Sequence, residues 1–549
     1  MAKQLPAATI NDFLAQNLTQ HPDLPAFQIR QENKYLQYTF NQVAELVAKI
    51  QSALTRQGIK KGDRVILWSE NRPEWPISYL AITTMGAVVV PLDVLLHEEE
   101  AFPLIADSGA CAAIVTPRLE ACLSRTKISP AAVFTVDQLA DLPSPDSRPK
   151  FSVQSADVAA IVYTSGTTGS VKGVTLTHGN ITANVNALAA LFDFGPRDNF
   201  LSVLPLHHAF ETTAGFLAPF SYGCRITYAQ SLKSYNLLRD MRETGVTIMC
   251  GVPLLFQLFY DGIWREAESQ GKEWLFSALF ILAKFLHKFI GFSFGRWLFA
   301  PVHKKFGGKI RFFVSGGAAL GPEVARNFEL IGFTILQGYG LTESAPILTC
   351  NTLRHNKIGS VGRPLPGVEI RIAGTDPVGE IIAFGPNIMR GYYQRPDLTS
   401  RVIINGCLYT GDVGYLDEDG YLFITGRSKD VIVTGSGVNV YPEEIESFLQ
   451  KVPGVKECCV VGDKVKSGVR KGAEEVLAII VPDKDYFVQQ GISDPAQVHK
   501  TMAVEIDKLN VRLADYKRIA RFQLRDEELP KTRLKKLKRF EIAKELKKQ

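Results

Sequence analysis

Short apolar runs alternate with amphipathic stretches along most of the chain. The runs at residues 64–68, 87–90 and 112–116 have the length of buried strands, whereas the apolar residues of 40–54 recur every three or four positions, as on one face of a helix. This alternation predicts an α/β fold in which helices pack on sheets. Because 549 residues exceed one hydrophobic core of ordinary size, at least two compact units are expected.

A change of pattern after Gly426 predicts the main domain boundary. Arg427 and the polar residues behind it lead into a new strand and then into a helix that begins near Pro442. We therefore predict an N-terminal domain over residues 1–426 and a C-terminal domain over residues 427–549.

The composition is that of a globular protein, with 46% hydrophobic and 21% charged residues. The net charge of +6 is concentrated in two places: residues 274–322 hold seven Lys/Arg and no acid, and residues 530–549 hold nine Lys/Arg and two acids. The rest of the chain is net acidic, so overall basicity does not indicate a nucleic-acid partner. The eight cysteines have no zinc-site spacing, and the first residues resemble neither a secretory signal nor a membrane span, so a cytoplasmic location is expected.

A string of hydroxyl-bearing residues and glycines follows the predicted strand at 159–163. Glycines let backbone N–H groups surround an anion, hydroxyls add hydrogen-bond donors, and Lys172 supplies a positive charge, which together predict a polyphosphate site. Its residues are Thr164, Ser165, Gly166, Thr167, Thr168, Gly169 and Lys172. The string is not the loop of P-loop kinases and ATPases, because that pattern requires glycine at position 171, where this chain has valine.

Four further motifs follow in order. They are LPLHHAF at 204–210, SGGAAL at 315–320, GYGLTE at 338–343 and YTGD at 409–412. Together with YTSGTTGSVKGV at 163–174, they make the chain resemble the adenylate-forming (AMP-binding) family, which includes acyl-CoA synthetases, adenylation domains of peptide synthetases and luciferases. The resemblance is greatest to long-chain fatty acid–CoA ligases. Within these five motifs, two positions depart from the family pattern: Ala319 replaces a usual proline, and His207 stands where an aromatic residue is common.

The resemblance implies roles for the matching residues. In the family, the aromatic residue at Tyr339 lies against adenine, the hydroxyl at Thr342 meets the α-phosphate, and the carboxylates at Glu343 and Asp412 hold Mg2+ and the ribose hydroxyls. Arg427 becomes a second nucleotide contact, Thr168 a second metal contact, and His208 would line the acyl or thiol entrance. The remaining implied nucleotide-site positions are Gly316, Gly317, Ala318, Gly338 and Gly340.

The C-terminal basic run matches the family segment that delivers a catalytic lysine to the carboxylate and the α-phosphate. Aligned through Pro530 and Thr532, that lysine is Lys536; because the glycine usual before it is absent, Lys535 stays an alternative. Lys429 occupies the family's hinge position, and Gly435 lies in the loop that enters the thiol tunnel.

The resemblance implies a large N-terminal domain of layered α/β subdomains with a β-barrel-like part, followed by a small mobile α+β domain. It also implies an acid–thiol ligase that uses ATP, Mg2+ and coenzyme A to activate a carboxylic acid, here a medium- to long-chain fatty acid. An acyl-carrier protein is the alternative acceptor. A non-catalytic lipid-binding scaffold is the alternative function, although a decayed site would be expected to have lost Lys172, Thr342, Glu343 or Asp412, all of which are present.

The first basic cluster lies in an apolar helical region. Lys284, His287 and Lys288 fall on one predicted helix face, and Phe and Leu occupy the other faces. One interpretation is peripheral contact of residues 274–311 with anionic lipid on the inner face of the membrane. The other is a helical lid packed on its own domain.

Overall fold

A computed structural model describes residues 7–126, 132–165, 171–290, 294–375, 377–433, 439–464, 474–531 and 537–546. By internal packing the chain divides into a larger unit, Met1–Ile370 with Ala383–Leu408, and a smaller unit, Arg371–Ile382 with Tyr409–Gln549. The predicted domain boundary between Gly426 and Arg427 stays a prediction.

The larger unit contains a seven-stranded sheet whose centre is parallel. In sheet order its strands are Gly391–Tyr392, Val171–Thr177, Val158–Ser165, Val88–Pro91, Arg64–Trp68, Ala112–Val115 and Val133–Thr135. Alternate side chains of the central strands enter different hydrophobic clusters, as Val65 and Ile66 do, so the sheet is buried on both faces.

The larger unit also contains a nine-stranded sheet. In sheet order its strands are Arg363–Pro364, Ile347–Cys350, Ile335–Gly340, Phe312–Ser315, Ile248–Gly251, Asn199–Ser202, Arg225–Tyr228, Pro25–Gln31 and Lys34–Thr39. The six strands from Ile335–Gly340 to Pro25–Gln31 run parallel to one another.

Helices cover both sheets of the larger unit. The α-helices are Ile10–Gln20, Phe40–Arg56, Glu74–Thr84, Glu98–Ser108, Pro117–Leu123, His178–Leu191, Ala218–Ser221, Ser234–Thr244, Pro253–Ser269, Glu273–Ile290, Gly295–Leu298, Ala300–Lys305, Pro322–Ile331 and Pro396–Val402. A π-helix spans Glu211–Leu217, 3-10 helices span Val136–Asp141 and Thr342–Ser344, and a short strand spans Ile403–Ile404. The helix Phe40–Arg56 begins where predicted, because Thr39 and Gln42 form a reciprocal capping box.

The smaller unit is α+β. Its strands are Glu369–Ile372, Gly379–Phe384, Cys407–Leu416, Leu422–Arg427, Ile432–Val433, Asn439–Val440, Val455–Lys464, Glu474–Pro482 and Arg521–Leu524. The first and third of these strands begin within the larger unit, and the second ends within it. Its α-helices are Pro442–Leu449, Lys484–Gln489, Pro495–Asn510 and Arg539–Leu546, and a 3-10 helix spans Asp515–Lys517. The mixed α/β class with a large N-terminal and a small C-terminal part is thus confirmed.

Cys458 and Cys459 lie in the strand Val455–Lys464. They enter two different hydrophobic clusters because successive side chains of a strand point to opposite faces. Burial raises the pKa of the Cys459 thiol to about 12. Both cysteines therefore act as small apolar core residues.

Candidate functional site

Three of the predicted site segments meet at one edge of the nine-stranded sheet. His208 follows the strand Asn199–Ser202, Gly316 follows Phe312–Ser315, and Tyr339 lies near the end of Ile335–Gly340. These strands run parallel within one sheet, so their carboxyl ends share an edge. In open α/β sheets, ligands bind at this edge.

At this edge, Gly316 and Gly317 occupy backbone positions that favour glycine. Gly316 is buried, and a Cβ atom there would lie 2.8 Å from the ring of Phe210, so any larger residue would displace that ring. Gly317 has φ +80°, a conformation that favours glycine, and both Gly317 and Ala318 are exposed. Gly338 and Gly340 flank Tyr339 in the next strand.

His208 is half-buried, and its ring centroid lies 4.2 Å from that of His207. The His207 Nε2 atom lies 3.6 Å from Asp93 Oδ2. The segment enters the π-helix Glu211–Leu217, a rare element that is frequent at functional sites. Its first residue, Glu211, is a buried acid that the motif comparison missed: Ser202 Oγ donates to Glu211 Oε1 at 2.6 Å, and burial raises the pKa of the carboxyl to about 8.

The segment with Thr342 and Glu343 forms a single 3-10 turn held by two asparagines. Asn184 Nδ2 and Asn387 Nδ2 both donate to Ser344 O, at 3.0 and 2.9 Å, and both also donate to Ile347 O. The sequence offered no sign of these contacts, since the two asparagines lie about 160 and 43 positions from Ser344. They keep the turn from shifting along the edge of the sheet.

Glu343 and Lys172 contact the same buried tyrosine. Tyr392 Oη donates to Glu343 Oε1 at 2.8 Å, and Lys172 Nζ lies 5.0 Å from the centroid of the Tyr392 ring. Burial, reinforced by the Glu343 carboxylate, raises the pKa of Tyr392, so its hydroxyl stays a donor. The structure thus brings the predicted metal carboxylate and the predicted phosphate lysine together, through a residue that the motifs did not include.

The Thr/Gly string connects two antiparallel strands. Thr164 pairs with Lys172, and Ser165 pairs with Val171, so the ends of the string are adjacent. Gly166, Thr167, Thr168 and Gly169 lie outside the described residues.

In the smaller unit, Asp412 and Arg427 face each other across antiparallel strands. Arg427 Nε lies 3.2 Å from Asp412 Oδ1, and the Asp412 side chain is buried. The preceding turn is fixed, because Thr410 Oγ1 donates to Ile381 O at 2.8 Å and Gly411 N donates to Glu380 Oε1 at 2.9 Å. Lys429 is exposed in the turn after this strand pair. Gly435, Lys535 and Lys536 lie outside the described residues.

Comparison with known families agrees with these motifs. The AMP-binding enzyme family model matches residues 14–393, and the model of the AMP-binding enzyme C-terminal domain matches residues 444–536. The chain therefore belongs to the family of AMP-binding, adenylate-forming enzymes, within its acid–CoA ligases. The predicted family is confirmed, and so are ATP, Mg2+ and coenzyme A as cofactors, which ligases of this family use.

Three known proteins show the range within the family. The feruloyl-CoA synthase of Amycolatopsis sp is 31% identical over 437 residues, which cover 77% of this chain and 80% of that protein. The long-chain-fatty-acid–CoA ligase FadD15 of Mycobacterium bovis is 30% identical over 482 residues, which cover 80% of this chain and 78% of that protein. The structure of o-succinylbenzoate coenzyme A synthetase from Bacillus subtilis, in complex with ATP and magnesium ion, is 25% identical with a TM-score of 0.77 and covers 97% of this chain and 99% of that one. The acids named differ, so the family alone leaves the acid open.

Proposed function

We propose that this protein converts a medium- to long-chain fatty acid to acyl-AMP and pyrophosphate, and then transfers the acyl group to coenzyme A with release of AMP. The observation that carries the adenylation step is the contact of Glu343 and Lys172 with Tyr392. Glu343 follows a strand of the nine-stranded sheet, whereas Lys172 and Tyr392 lie in paired strands of the seven-stranded sheet. This contact supports a site where a metal-binding carboxylate and a phosphate-binding cation act on the same nucleotide.

The reaction requires positive charge for a definite reason. A carboxylate oxygen attacks the α-phosphorus, an O–P bond forms, and the bond to the β-phosphate oxygen breaks as pyrophosphate leaves. Negative charge accumulates on the five-coordinate phosphorus, and cations aimed at it lower the barrier. We assign this role to Lys172 and Lys536, and the ribose to Asp412. Coenzyme A thiolate then attacks the acyl carbonyl carbon, and AMP leaves.

The fatty acid is favoured by the similarity to long-chain-fatty-acid–CoA ligases and by the apolar surface described below. An aromatic acid is the competing substrate, because feruloyl-CoA synthase is about as similar. We assign coenzyme A as the acyl acceptor because the similar proteins are CoA ligases or CoA synthases. An acyl-carrier protein is the alternative acceptor.

The reaction is tested by acid-dependent exchange of pyrophosphate into ATP with fatty acids of increasing length and with ferulate. We expect exchange to rise with chain length, since each buried methylene contributes about 0.8 kcal/mol, roughly fourfold in affinity. Coenzyme A should then yield stoichiometric AMP. Formation of ADP and phosphate would contradict adenylation; exchange with ferulate alone would contradict the fatty acid; vesicle binding without exchange would favour the lipid-binding scaffold.

The helix Glu273–Ile290 supports a lipid substrate because it is apolar on two opposite faces. Phe276, Phe280 and Ala283 are buried against the larger unit. Trp274 and Ile281 lie on the opposite face and are 73% and 68% exposed, and Phe285 on that face is 57% exposed. The buried face agrees with the lid interpretation, but a lid does not account for the exposed one.

The charge around this exposed face suits an anionic bilayer. Lys284 is exposed, and its Nζ atom lies 5.2 Å from the centroid of the Phe280 ring. On the next short helix, Trp297 is 78% exposed beside Arg296. None of the helices in the described ranges is long and apolar enough to cross a bilayer. We therefore propose peripheral contact, with the tryptophans at the headgroup level and the basic residues near lipid phosphates.

Changing Ile281 and Phe285 together to glutamine is expected to lower binding to phosphatidylserine vesicles by about 100-fold. Full burial of one such side chain contributes ~1.5–3 kcal/mol, and these two have 68% and 57% of their surface left to bury. Changing Lys284, Lys288 and Arg296 to glutamine should instead weaken binding only at low salt, because charge attraction decays within about 10 Å at 0.1 M salt. Co-sedimentation over a salt series distinguishes the two effects.

The matched control changes Val488 and Val511, which are 66% and 80% exposed in the smaller unit, to glutamine. It should bind vesicles like the unchanged protein. The helix variant should also raise the Michaelis constant for long acids delivered in vesicles, while short soluble acids are unaffected. If the helix variant and the control bind alike, the lid interpretation is correct.

A further inference from the structure

Tyr392 occupies a position from which one ring reaches two groups of the proposed site. The residue is 8% exposed, and its backbone is fixed by pairing with Val174 and by a hydrogen bond that Tyr392 N donates to Thr399 Oγ1 at 2.9 Å. The hydroxyl donates to Glu343 Oε1, and the ring faces the Lys172 ammonium. Packing alone would need only the aromatic ring. The hydrogen bond from the hydroxyl to the Glu343 carboxylate therefore indicates a further role for this tyrosine.

The hydrogen bond from Tyr392 makes the two oxygens of the Glu343 carboxylate different in their surroundings. Oε1 accepts the tyrosine hydroxyl, whereas no side chain or backbone amide in the described part of the chain donates to Oε2. The backbone of Glu343 is fixed as well, because Met389 N donates to Glu343 O at 2.8 Å. The carboxylate therefore presents one oxygen in a set direction.

The surroundings fit a divalent ion that takes most of its ligands from elsewhere. Within the described ranges, no group of three or more His, Cys, Asp or Glu side chains could hold a metal. Mg2+ accepts this arrangement, since it binds one or two carboxylates and completes an octahedron with water and phosphate oxygens. Ca2+ takes six to eight oxygens at longer distances and accepts both oxygens of one carboxylate.

We propose that Tyr392 restricts Glu343 to a single metal-binding oxygen and thereby makes the site prefer Mg2+ over larger divalent cations such as Ca2+. The inference rests on the proposed function, in which Glu343 holds the metal of the ATP complex. Tyr392 is a positioning residue, because it acts through Glu343 and not on the reacting atoms. Mutation of a residue that hydrogen-bonds to a metal ligand typically lowers metal affinity by about 10–100-fold.

The same ring also links the metal site to Lys172. An ammonium over an aromatic face is attracted by the ring quadrupole, and the attraction does not need the hydroxyl. Phenylalanine at position 392 would therefore keep the Lys172 contact and lose only the Glu343 bond. Leucine would lose both, which separates the two effects.

The test uses the full-length protein with a bound ATP analogue. Metal binding is measured by calorimetric titration of MgCl2 or CaCl2 into protein saturated with α,β-methylene-ATP, and exchange rates are measured with each metal. For Tyr392→Phe we expect Mg2+ affinity to fall about 10-fold, while Ca2+ affinity is unchanged or higher. The ratio of the two affinities should fall at least 10-fold. Tyr392→Leu should in addition raise the Michaelis constant for ATP.

Tyr393→Phe is the matched control, because the adjacent hydroxyl bonds Ser108 O at 3.3 Å and not Glu343. It should keep the metal ratio of the unchanged protein. In a Glu343→Gln background, Tyr392→Phe should have no further effect on that ratio. An unchanged ratio in Tyr392→Phe, or an equal loss for Mg2+ and Ca2+, overturns this inference while normal exchange leaves the proposed function standing. Absence of exchange in the unchanged protein overturns the proposed function itself.

Discussion

Replacing Lys536 with alanine is expected to slow acyl-adenylate formation by about 10²–10³, the loss typical when one charge-stabilising donor is removed from a transition state. Binding of ATP should change little, because Lys172 and the Thr/Gly string are intact. Transfer from supplied acyl-AMP to coenzyme A should also persist, since that step adds no negative charge to phosphorus. Single-turnover measurements of each half-reaction provide the comparison.

Two neighbouring lysines serve as controls for this prediction. Lys535→Ala tests the alternative register, and whichever variant loses adenylation identifies the catalytic lysine. Lys538→Ala removes a surface cation whose Nζ lies 2.9 Å from Glu541 Oε1, so it should leave both half-reactions unchanged. Equal loss of both half-reactions in Lys536→Ala would contradict a role confined to adenylation.

Much of the fold could be predicted because its elements are locally encoded. The strand Arg64–Trp68 and the helix Phe40–Arg56 have the period and the cap that their sequences indicate. The order of the strands could not be predicted from period alone. The strand Asn199–Ser202 lies between Ile248–Gly251 and Arg225–Tyr228, an arrangement set by crossover connections and by packing between distant segments.

The motifs of the candidate site could be read from the sequence because their residues are contiguous. The string from Thr164 to Lys172 and the turn with Glu343 carry unusual residue combinations, so they could be recognised. Tyr392 could not, since its strand is only two residues long and has no periodicity. Its partners Glu343 and Lys172 are 49 and 220 positions away, and a contact at that separation leaves no local pattern. Glu211 was missed because one acid in an apolar segment does not indicate burial.

In the helix Glu273–Ile290, the charge pattern alone could not predict which apolar face is buried and which is exposed. The spacing of Lys284 and His287 indicated a basic face, and both residues are exposed. The sequence also placed apolar residues all around the rest of the helix, so period could not decide which of them face the core. Packing of Phe276 against Trp264, with ring centroids 4.7 Å apart, buries one side and leaves Trp274 and Ile281 on the other.

A buried arginine connects three segments of the smaller unit. Arg539 Nη1 lies 2.9 Å from Asp430 Oδ2 and 2.8 Å from Glu443 Oε1, and Nη2 lies 2.8 Å from Glu446. Its Nε donates to Val460 O at 3.1 Å. The arginine side chain is 12% exposed and that of Glu446 is 8% exposed, so these charges are largely removed from water. Burial raises the pKa of Glu443 even with Arg539 beside it.

Replacing Arg539 with alanine is expected to destabilise the smaller unit by about 3–5 kcal/mol, because its loss leaves the buried Glu446 and the partly buried Asp430 and Glu443 without compensation. Without the Arg539 guanidinium, burial and the neighbouring carboxylates should raise the pKa of Glu443 in the folded variant further above its unfolded value. Stability conferred by such groups is present at low pH and is lost as pH rises through the folded pKa. The variant should therefore regain part of its stability as pH falls from 8 to 5, measured by urea unfolding at each pH.

The control is Arg518→Ala, which removes an exposed arginine that pairs with Asp515 at 2.7 Å. Its cost should stay within about 1 kcal/mol and should not depend on pH in this way, since exposed pairs contribute little. If uncompensated carboxylates cause the destabilisation, the stability difference between Arg539→Ala and Arg518→Ala should shrink as pH falls. An ordinary acid-denatured protein shows the opposite trend, because its stability falls as pH falls. A cost for Arg539→Ala that stays constant or grows between pH 8 and pH 5 would show that lost packing of the long side chain, and not uncompensated charge, destabilises the unit.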